Sequence, residues 1–426
     1  MEAITIAALF VGLVVLRVPM SISLAGPAII GLYMQDMPLL GVVQRIYSGT
    51  ESWVLTAIPL FVMAGFIMDK GGLAERMISF VDALLGFLPG GLANVNIAAS
   101  MLFGGISGSS VADTSALGPI LIPEMIKRGY SKEFSAAITA SSSPIGMIIP
   151  PSIPMIVWSF VSSESLGALF LGGIVPGILF GVFLMGVSTI ICIRRGYQAK
   201  ATRINISALR CTAVDGAISL LAPCVIIGGI ISGIFTATES AMIAVVYSFM
   251  VTYFYYRKLH FRDLPRILVK TGKVSASIMF IIGSATALSW VITIYQIPHI
   301  LGRLLLDASG TPDMYIFWSC SLFFVLGMFL DTSTIILLLG PIIAPSLPLL
   351  GIDPIHAGII LMVILATGLV TPPLGLCLFV VVTLTNAKLE KVARECIPFV
   401  CAMMALAILM WYFPGLVTFI PRHFFQ

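Results

Sequence analysis

The chain has 426 residues, of which 59% are hydrophobic and 10% are charged, and its formal net charge is +4. An average soluble domain carries about 25% charged residues, so a soluble protein of this composition could not cover its surface with polar groups. We therefore expect lipid to surround most of the chain. The small positive charge is explained by basic cytoplasmic loops, and no nucleic-acid partner is expected.

Cysteine and histidine residues form no recognisable site. The seven Cys include no CxxC pair and lie mostly in apolar stretches, so they are interpreted as small core residues. The four His are scattered, and no HExxH motif occurs. Because neither a metal cluster nor a nucleophile–base arrangement is found, the chain is not expected to be an enzyme.

Six apolar stretches approach or exceed the roughly 20 residues that cross a bilayer core as a helix. They are 4–33, 168–193, 216–235, 274–295, 357–384 and 396–420. Leu, Ile, Met, Ala and Gly dominate them without an alternation of period two, which predicts helices. The first stretch is long for one span, and Arg17-Val18-Pro19 could divide it. We expect an all-α polytopic membrane protein with about ten to twelve transmembrane helices.

An internal repeat relates the two halves of the chain. Residues 117–151 match 339–373 at eight positions after a shift of 222 residues. The identities are Leu117/Leu339, Gly118/Gly340, Pro119/Pro341, Ile120/Ile342, Pro123/Pro345, Gly146/Gly368, Pro150/Pro372 and Pro151/Pro373. Upstream, Asp113-Thr114-Ser115 matches Asp331-Thr332-Ser333 after a shift of 218. A four-residue difference within a hairpin would reconcile the two shifts.

Basic residues predict that the halves have opposite orientations in the membrane. The connector after the first hairpin contains Lys127, Arg128 and Lys132, whereas its counterpart near 349–356 has neither Lys nor Arg. One span later the bias reverses from 161–167 to 385–395. Because cytoplasmic loops concentrate Lys and Arg, the halves are predicted to be inverted repeats, as in many secondary transporters.

The same rule predicts a domain organisation. Residues 1–193 form the first inverted repeat, 194–215 a cytoplasmic connector and 216–426 the second repeat, with 257–273 as a further cytoplasmic connector. The segments 92–123 and 314–346 each begin and end on one side, the first on the cytoplasmic side and the second on the exterior side. Both are interpreted as re-entrant helical hairpins.

Each hairpin has a polar tip, at 104–115 and 327–334. Glycines permit sharp turns that free backbone carbonyls. Carbonyls, hydroxyls and the carboxylates of Asp113 and Asp331 are the hard oxygen ligands that a sodium ion would need. The N–H groups of the following helix could meet an anionic substrate. The alternative is that Asp113 and Asp331 only N-cap the helices after the turns.

Two proline pairs are predicted to break helices within the membrane. Pro150-Pro151 and Pro372-Pro373 each remove two backbone donors, which exposes carbonyls at mid-membrane. Ser and Thr around both breaks supply hydroxyls without adding charge. A kink satisfied by neighbouring helices is the alternative, but two matched pairs in inverted halves favour a binding site.

Five segments together resemble one transporter family. They are Gly-Gly-Ile-Ser-Gly-Ser-Ser and Asp-Thr-Ser-Ala-Leu-Gly within 104–118, Ile-Ile-Pro-Pro-Ser at 148–152, Gly-Ile-Phe-Thr-Ala-Thr-Glu-Ser-Ala at 233–241, Phe-Leu-Asp at 329–331 and Thr-Pro-Pro-Leu-Gly at 371–375. The combination resembles the large membrane subunit of tripartite ATP-independent periplasmic (TRAP) transporters over essentially the whole chain. Ala237 departs from the pattern, since the family often has Pro there, and no functional change is expected from it.

The resemblance implies an elevator-type transporter of the ion transporter superfamily in the bacterial inner membrane. It implies sodium-coupled uptake of an organic acid, such as sialic acid or a C4-dicarboxylate. It also implies two protein partners, a small four-helix membrane subunit and a periplasmic binding protein that delivers the substrate.

The resemblance further implies where the ions and the substrate bind. One sodium ion is expected among Ser107, Gly108, Ser109, Asp113, Ser141, Ser142, Ser143 and Pro144. A second is expected near Asp331, Thr332, Thr367 and Thr371. The substrate carboxylate is expected between the hairpin tips, with Ser109, Ser110, Ser152, Thr334 and Thr371 as substrate-binding residues. The alternative function is a stand-alone sodium- or proton-coupled dicarboxylate or citrate carrier.

Overall fold

The computed structural model is helical, and no strand occurs among the residues that it describes. These are 2–16, 18–88, 90–197, 212–213, 218, 221, 223–230, 232–296 and 310–425. Four helical segments are long and apolar enough to cross a membrane: Trp53–Lys70, Leu166–Arg195, Phe261–Ile294 and Leu389–Tyr412. Shorter apolar helices accompany them. The all-α prediction is confirmed.

The first half contains α1 (Glu2–Val15), α2 (Met20–Met34), α3 (Leu40–Thr50), α4 (Ala57–Lys70), α5 (Leu73–Leu85), α6 (Gly91–Ser107), α7 (Ser110–Lys127), α8 (Lys132–Ser142), α9 (Ile153–Ser162) and α10 (Leu166–Arg195). The predicted division of 4–33 is confirmed, because α1 ends before Pro19 and α2 begins after it. Arg17 itself lies outside the described residues.

The second half contains α11 (Ala237–Met250), α12 (Leu264–Ile294), α13 (Pro312–Gly327), α14 (Thr332–Ile343), α15 (Ser346–Leu349), α16 (Pro354–Gly368), α17 (Leu376–Thr385), α18 (Leu389–Tyr412) and α19 (Gly415–Phe425). Most of the predicted connector 194–215 lies outside the described residues. The expectation that all of 257–273 is a connector is wrong. Pro265 lies in the first turn of α12, where its missing N–H costs nothing, and the helix continues from there into the apolar stretch.

The helices form two packed groups. In the outer group, α12 packs along α2, α3 and α4, and α4 packs along α11. The inner group contains the hairpins α6–α7 and α13–α14, the helices on either side of the proline pairs, and the long helices α10 and α18. The groups meet where α4 contacts α6 and where α12 contacts α14.

Both predicted proline breaks are present, and each divides a helix into two arms. Pro150-Pro151 lies between α8 and α9, and Pro372-Pro373 lies between α16 and α17. The first arm of each pair packs on the hairpin of its own half, α8 on α7 and α16 on α13. The second arm packs on the hairpin of the other half, α9 on α14 and α17 on α7. The two halves therefore share one core.

Trp158 holds α9 against α16 of the other half. Its side chain is fully buried, and its Nε1 donates a hydrogen bond to Pro354 O at 3.2 Å. A Cβ atom at Gly358 would collide with the indole ring. The tryptophan and the glycine are therefore complementary, and together they determine how closely the two helices approach.

Trp158→Ala should destabilise the protein by on the order of 3–5 kcal/mol, because it leaves a cavity and an unpaired carbonyl at Pro354. Thermal unfolding in detergent measures the effect. Trp53→Ala is the control, since Trp53 is 73% exposed, and it should change the unfolding midpoint little. Equal losses in the two variants would contradict a specific role for the Trp158 contact.

Candidate functional site

The first hairpin turns at Gly108. Gly108 adopts a left-handed conformation with φ of 62°, and the extended Ser109 then leads into α7. A Cβ atom at position 108 would lie 2.7 Å from Pro151 O. Glycine is therefore required both by the backbone angle and by the proximity of the proline break.

The second hairpin turns before Asp331, which N-caps α14 by accepting a hydrogen bond from Ser333 N at 3.0 Å. Asp331 thus has the position that Ser109 has in the first hairpin, 222 residues earlier. Asp113, by contrast, is the fourth residue of α7. The predicted equivalence of the two Asp-Thr-Ser motifs is wrong, because the shift of 222 already applies where both helices begin.

A backbone hydrogen bond ties each hairpin tip to the proline break of its own half. Ile153 N donates to Gly108 O at 3.2 Å, and Gly375 N donates to Met328 O at 2.9 Å. Ile153 and Gly375 are themselves 222 residues apart. In a bilayer an unpaired backbone group costs several kcal/mol, so these two bonds, the tip–break bonds, hold the turns against the breaks.

Facing glycines allow this close approach. A Cβ atom at Gly104 would lie 2.9 Å from Gly146 N, and one at Gly368 would lie 2.9 Å from the Cα of Gly327. Both contacts are shorter than real Cβ contacts permit. Each half therefore has one glycine pair between its hairpin and its broken helix.

Asp113 is buried beside the first glycine pair. Its Oδ1 accepts a hydrogen bond from the Ser107 hydroxyl, and the same hydroxyl accepts from Ser109 N at 3.3 Å. Its Oδ2 is buried without a hydrogen-bond partner, and a Cβ atom at Gly146 would collide with that oxygen. N-capping does not account for Asp113. A buried carboxylate oxygen without a partner fits a cation ligand, since buried charges are otherwise paired.

A cavity of about 200 Å³ lies between the two hairpin tips. Its lining is formed by Gly108, Ser109, Ser110, Val111, Ile153, Pro154, Ile278, Ile281, Asp331, Thr332, Ser333 and Leu369. Both groups of helices contribute, because Ile278 and Ile281 belong to α12. Asp331 is the only charged residue among the described residues that line the cavity.

Three helices begin at this cavity, and they differ in capping. Ser152 accepts from Met155 N at 3.3 Å and so caps α9, and Asp331 caps α14. Ser109 makes no side-chain cap bond to α7. The hydroxyl of Ser110, which is 5% exposed, is buried without a partner. The start of α7 therefore offers backbone N–H groups and a hydroxyl to an anion.

Other predicted site residues lie outside the cavity lining. Several use their hydroxyls within the fold: Ser142 Oγ lies 2.8 Å from Ser100 Oγ, Ser143 donates to Thr139 O, Ser152 to Met147 O, Thr367 to Val363 O and Thr371 to Thr367 O. Ser141 and Thr334 are fully buried, and Pro144 lies in the 3-10 turn after α8.

Two parts of the site were not predicted from the sequence. Gly146 and Gly368 occur among the repeat identities, so a signal for the glycine pairs existed although no role was assigned to them. Ile278 and Ile281 line the cavity from one face of α12, and nothing in an apolar helix distinguishes them in advance.

The fold and the site define a class of protein: a helical membrane transport protein in which two hairpins and two broken helices enclose a central cavity. A family model described as "Tripartite ATP-independent periplasmic transporter, DctM component" matches residues 7–416. A solved structure, that of the YdaH transporter of Alcanivorax borkumensis, is similar with a TM-score of 0.61 over 88% of this chain and 87% of that chain. At 15% identity, this similarity shows a shared fold.

Three relatives are similar in sequence. The C4-dicarboxylate TRAP transporter large permease protein DctM of Pseudomonas aeruginosa is 36% identical, over 94% of each chain. The sialic acid TRAP transporter large permease protein SiaM of Vibrio cholerae is 34% identical, over 89% of each chain. The isethionate TRAP transporter permease protein DctMQ of Oleidesulfovibrio alaskensis is 34% identical, over 95% of this chain and 64% of that protein.

The chain belongs to the DctM family and is the large membrane subunit of a TRAP transporter, a multi-pass membrane protein of solute uptake. The resemblance found in the sequence is thereby confirmed.

Gly368→Ala should weaken both stability and transport, because the new methyl group would overlap the backbone of Gly327. Overpacking of this kind costs about 1–3 kcal/mol. Thermal unfolding and uptake measure the two effects. Gly272→Ala is the matched control, since Gly272 lies within α12 and a Cβ atom there meets nothing within 4 Å. An unchanged Gly368→Ala protein would show that the glycine pair is not a required contact.

Proposed function

We propose that this subunit moves a small organic acid into the cell together with sodium ions, and that the acid binds in the cavity between the hairpins. The observation that carries the proposal is the cavity lining. It contains an uncapped helix start and a carboxylate, but no Lys or Arg among the described residues. Such a cavity can hold an anion only when cations accompany it.

The anion site is assigned to the start of α7. The first N–H groups of a helix have no intrahelical acceptor and carry partial positive charge. A substrate carboxylate there would accept hydrogen bonds from these N–H groups and from the Ser110 hydroxyl. Ser109 leaves room for it because its own side chain does not cap the helix.

Charge balance supports coupling to a cation. Asp331 lines the same cavity, and two negative charges about 4 Å apart repel by about 4 kcal/mol at an effective dielectric constant of 20. Helix starts carry only about half a positive charge each. A bound cation next to Asp113 or Asp331 would offset this repulsion, so the acid and the ion would bind more tightly together than apart.

The first sodium ion is assigned to Asp113, where Oδ2 lacks a partner and the Ser107 hydroxyl is adjacent. The second is assigned to the turn at Asp331 and Thr332. Thr367 and Thr371 donate their protons to carbonyls, and their oxygens keep lone pairs that could still serve an ion.

The size of the cavity favours a small acid. Sites for drug-sized ligands span about 300–1,000 Å³, and this cavity measures about 200 Å³. A C4-dicarboxylate or a compact acid of similar size is therefore favoured over sialic acid.

Transport by movement of the inner group fits the position of the cavity. The inner group supplies the hairpins and the proline breaks, and the outer group supplies Ile278 and Ile281. Sliding of the inner group along α12 would carry the cavity between the two sides of the membrane as one unit. The proposed partners are the small four-helix subunit and a periplasmic binding protein, and the proposed location is the bacterial inner membrane.

Uptake by the complete transporter in proteoliposomes tests the function across a panel of carboxylates. Accumulation should require an inward sodium gradient and the cognate binding protein. Equal uptake without sodium would refute the coupling. Full uptake without any binding protein would favour the stand-alone carrier.

Asp113→Asn and Asp331→Asn should each reduce sodium-driven uptake at least about tenfold, which corresponds to about 1.4 kcal/mol, because each removes a charged ion ligand. Both proteins should still fold, as judged by their unfolding midpoints. Glu51→Gln, an exposed change after α3, serves as the control. Undiminished uptake in both Asn variants would rule out their role as ligands.

Ser110→Ala should weaken substrate binding with little change in stability. A hydrogen bond to a charged group contributes about 1.5–3 kcal/mol, so the substrate concentration at half-maximal uptake should rise at least about tenfold. Ser115→Ala is the matched control in the same helix, since Ser115 is exposed and donates to Val111 O. If the two alanine variants behave alike, the anion does not bind at the start of α7.

A further inference from the structure

A second concave site lies on the inner group, away from the cavity between the hairpins. It is a groove of about 670 Å³ between α13, α16 and α18, more than three times the volume of the first cavity. Neither the ions nor the substrate proposed above would use it, because its lining is almost entirely apolar. We call it the α13–α18 groove.

The α13–α18 groove has a buried floor and an exposed rim. Ile360 and Ile364 of α16 form the floor and are 1% and 5% exposed. Phe317 and Val325 of α13 form one rim, and Ile408 of α18 forms the other; each is at least half exposed. In a membrane-spanning protein such a rim faces acyl chains, which are as apolar as the rim itself.

The length of the groove matches one leaflet of a bilayer. Its lining extends along α13 from Asp313 to Val325, which is about 18 Å at 1.5 Å per residue. Half of a hydrocarbon core about 30 Å thick is about 15 Å. An acyl chain that enters at the membrane surface would therefore fill the groove to near the bilayer midplane.

One end of the groove is polar and negatively charged. Asp313 is the only charged residue among the described residues that line it. Trp411 Nε1 donates to Asp313 Oδ1 at 2.9 Å, and the indole stacks on His356 with ring centroids 5.7 Å apart. Tyr412 is 73% exposed at the same end. Trp and Tyr collect at the membrane–water interface, which is where a headgroup lies.

We propose that the α13–α18 groove binds one phospholipid with a primary-amine headgroup, such as phosphatidylethanolamine. Its acyl chain lies along α13 over Ile360 and Ile364, and its ammonium group pairs with Asp313. An anionic headgroup such as that of phosphatidylglycerol is disfavoured, because it lacks the ammonium group and would meet the carboxylate with like charge.

The bound lipid would act on the second hairpin. α13 is the first arm of that hairpin, and both α13 and α18 pack on α16. A chain in the groove supplies packing contacts to α13 and α18 at once, so its presence restrains the hairpin that carries Asp331. This inference does not depend on the proposed substrate or on sodium.

The purified, delipidated transporter assembly tests the proposal by native mass spectrometry and thermal unfolding. Phosphatidylethanolamine should add as one tightly held molecule and raise the unfolding midpoint. Phosphatidylglycerol of the same acyl composition should bind up to about fivefold more weakly, since an exposed ion pair contributes up to about 1 kcal/mol. Equal binding of the two lipids would overturn the headgroup assignment.

Two variants separate the headgroup from the chain. Asp313→Asn should abolish the preference for the amine lipid and retain lipid binding, whereas a merely structural Asp313 would lower the midpoint equally with either lipid. Ser321→Trp, which fills the groove from α13, should abolish binding of both lipids. Ala276→Trp on the exposed face of α12 is its control. Retained lipid in Ser321→Trp, or loss of the small subunit from that variant without any lipid bound to the wild type, would overturn the proposal.

Discussion

A helix that breaks inside a bilayer leaves backbone groups that lipid cannot satisfy, and the rest of this structure depends on how the two breaks meet that constraint. Ile153 N and Gly375 N each bond a carbonyl of a hairpin tip. These bonds place both turns against both breaks, and the glycine pairs provide the space. The start of α7, the cap of α14 and the cavity between them follow from those two backbone contacts.

The two buried acids differ in how much of their charge the protein offsets. Asp331 accepts a backbone N–H at the start of α14, where the helix dipole also favours a negative charge. Asp113 accepts one hydroxyl and keeps an oxygen without a partner. The matched halves have therefore produced unmatched half-sites, and the site at Asp113 has the greater electrostatic need for a cation.

Much of the architecture could be predicted from the sequence, because prolines, glycines and the repeat act locally. Pro150-Pro151 and Pro372-Pro373 break their helices wherever the rest of the chain lies. The register of the hairpins could not be derived in this way: the identical Asp-Thr-Ser tripeptides suggested that Asp113 and Asp331 correspond, although only one of them is an N-cap. The fate of the hydroxyls of Ser142, Ser152 and Thr371 depends on which carbonyls packing brings near. Ile278 and Ile281 face the cavity only because α12 packs beside α14.

The exchange of second arms between the halves has a consequence for how such a chain could assemble. With α9 packed on α14 and α17 packed on α7, either half alone would present an arm with no partner and a hairpin with one side uncovered. Two separate copies of one half could bury these surfaces only as a domain-swapped dimer. The present chain is the covalently joined form of such a dimer, and neither of its halves is an autonomous folding unit.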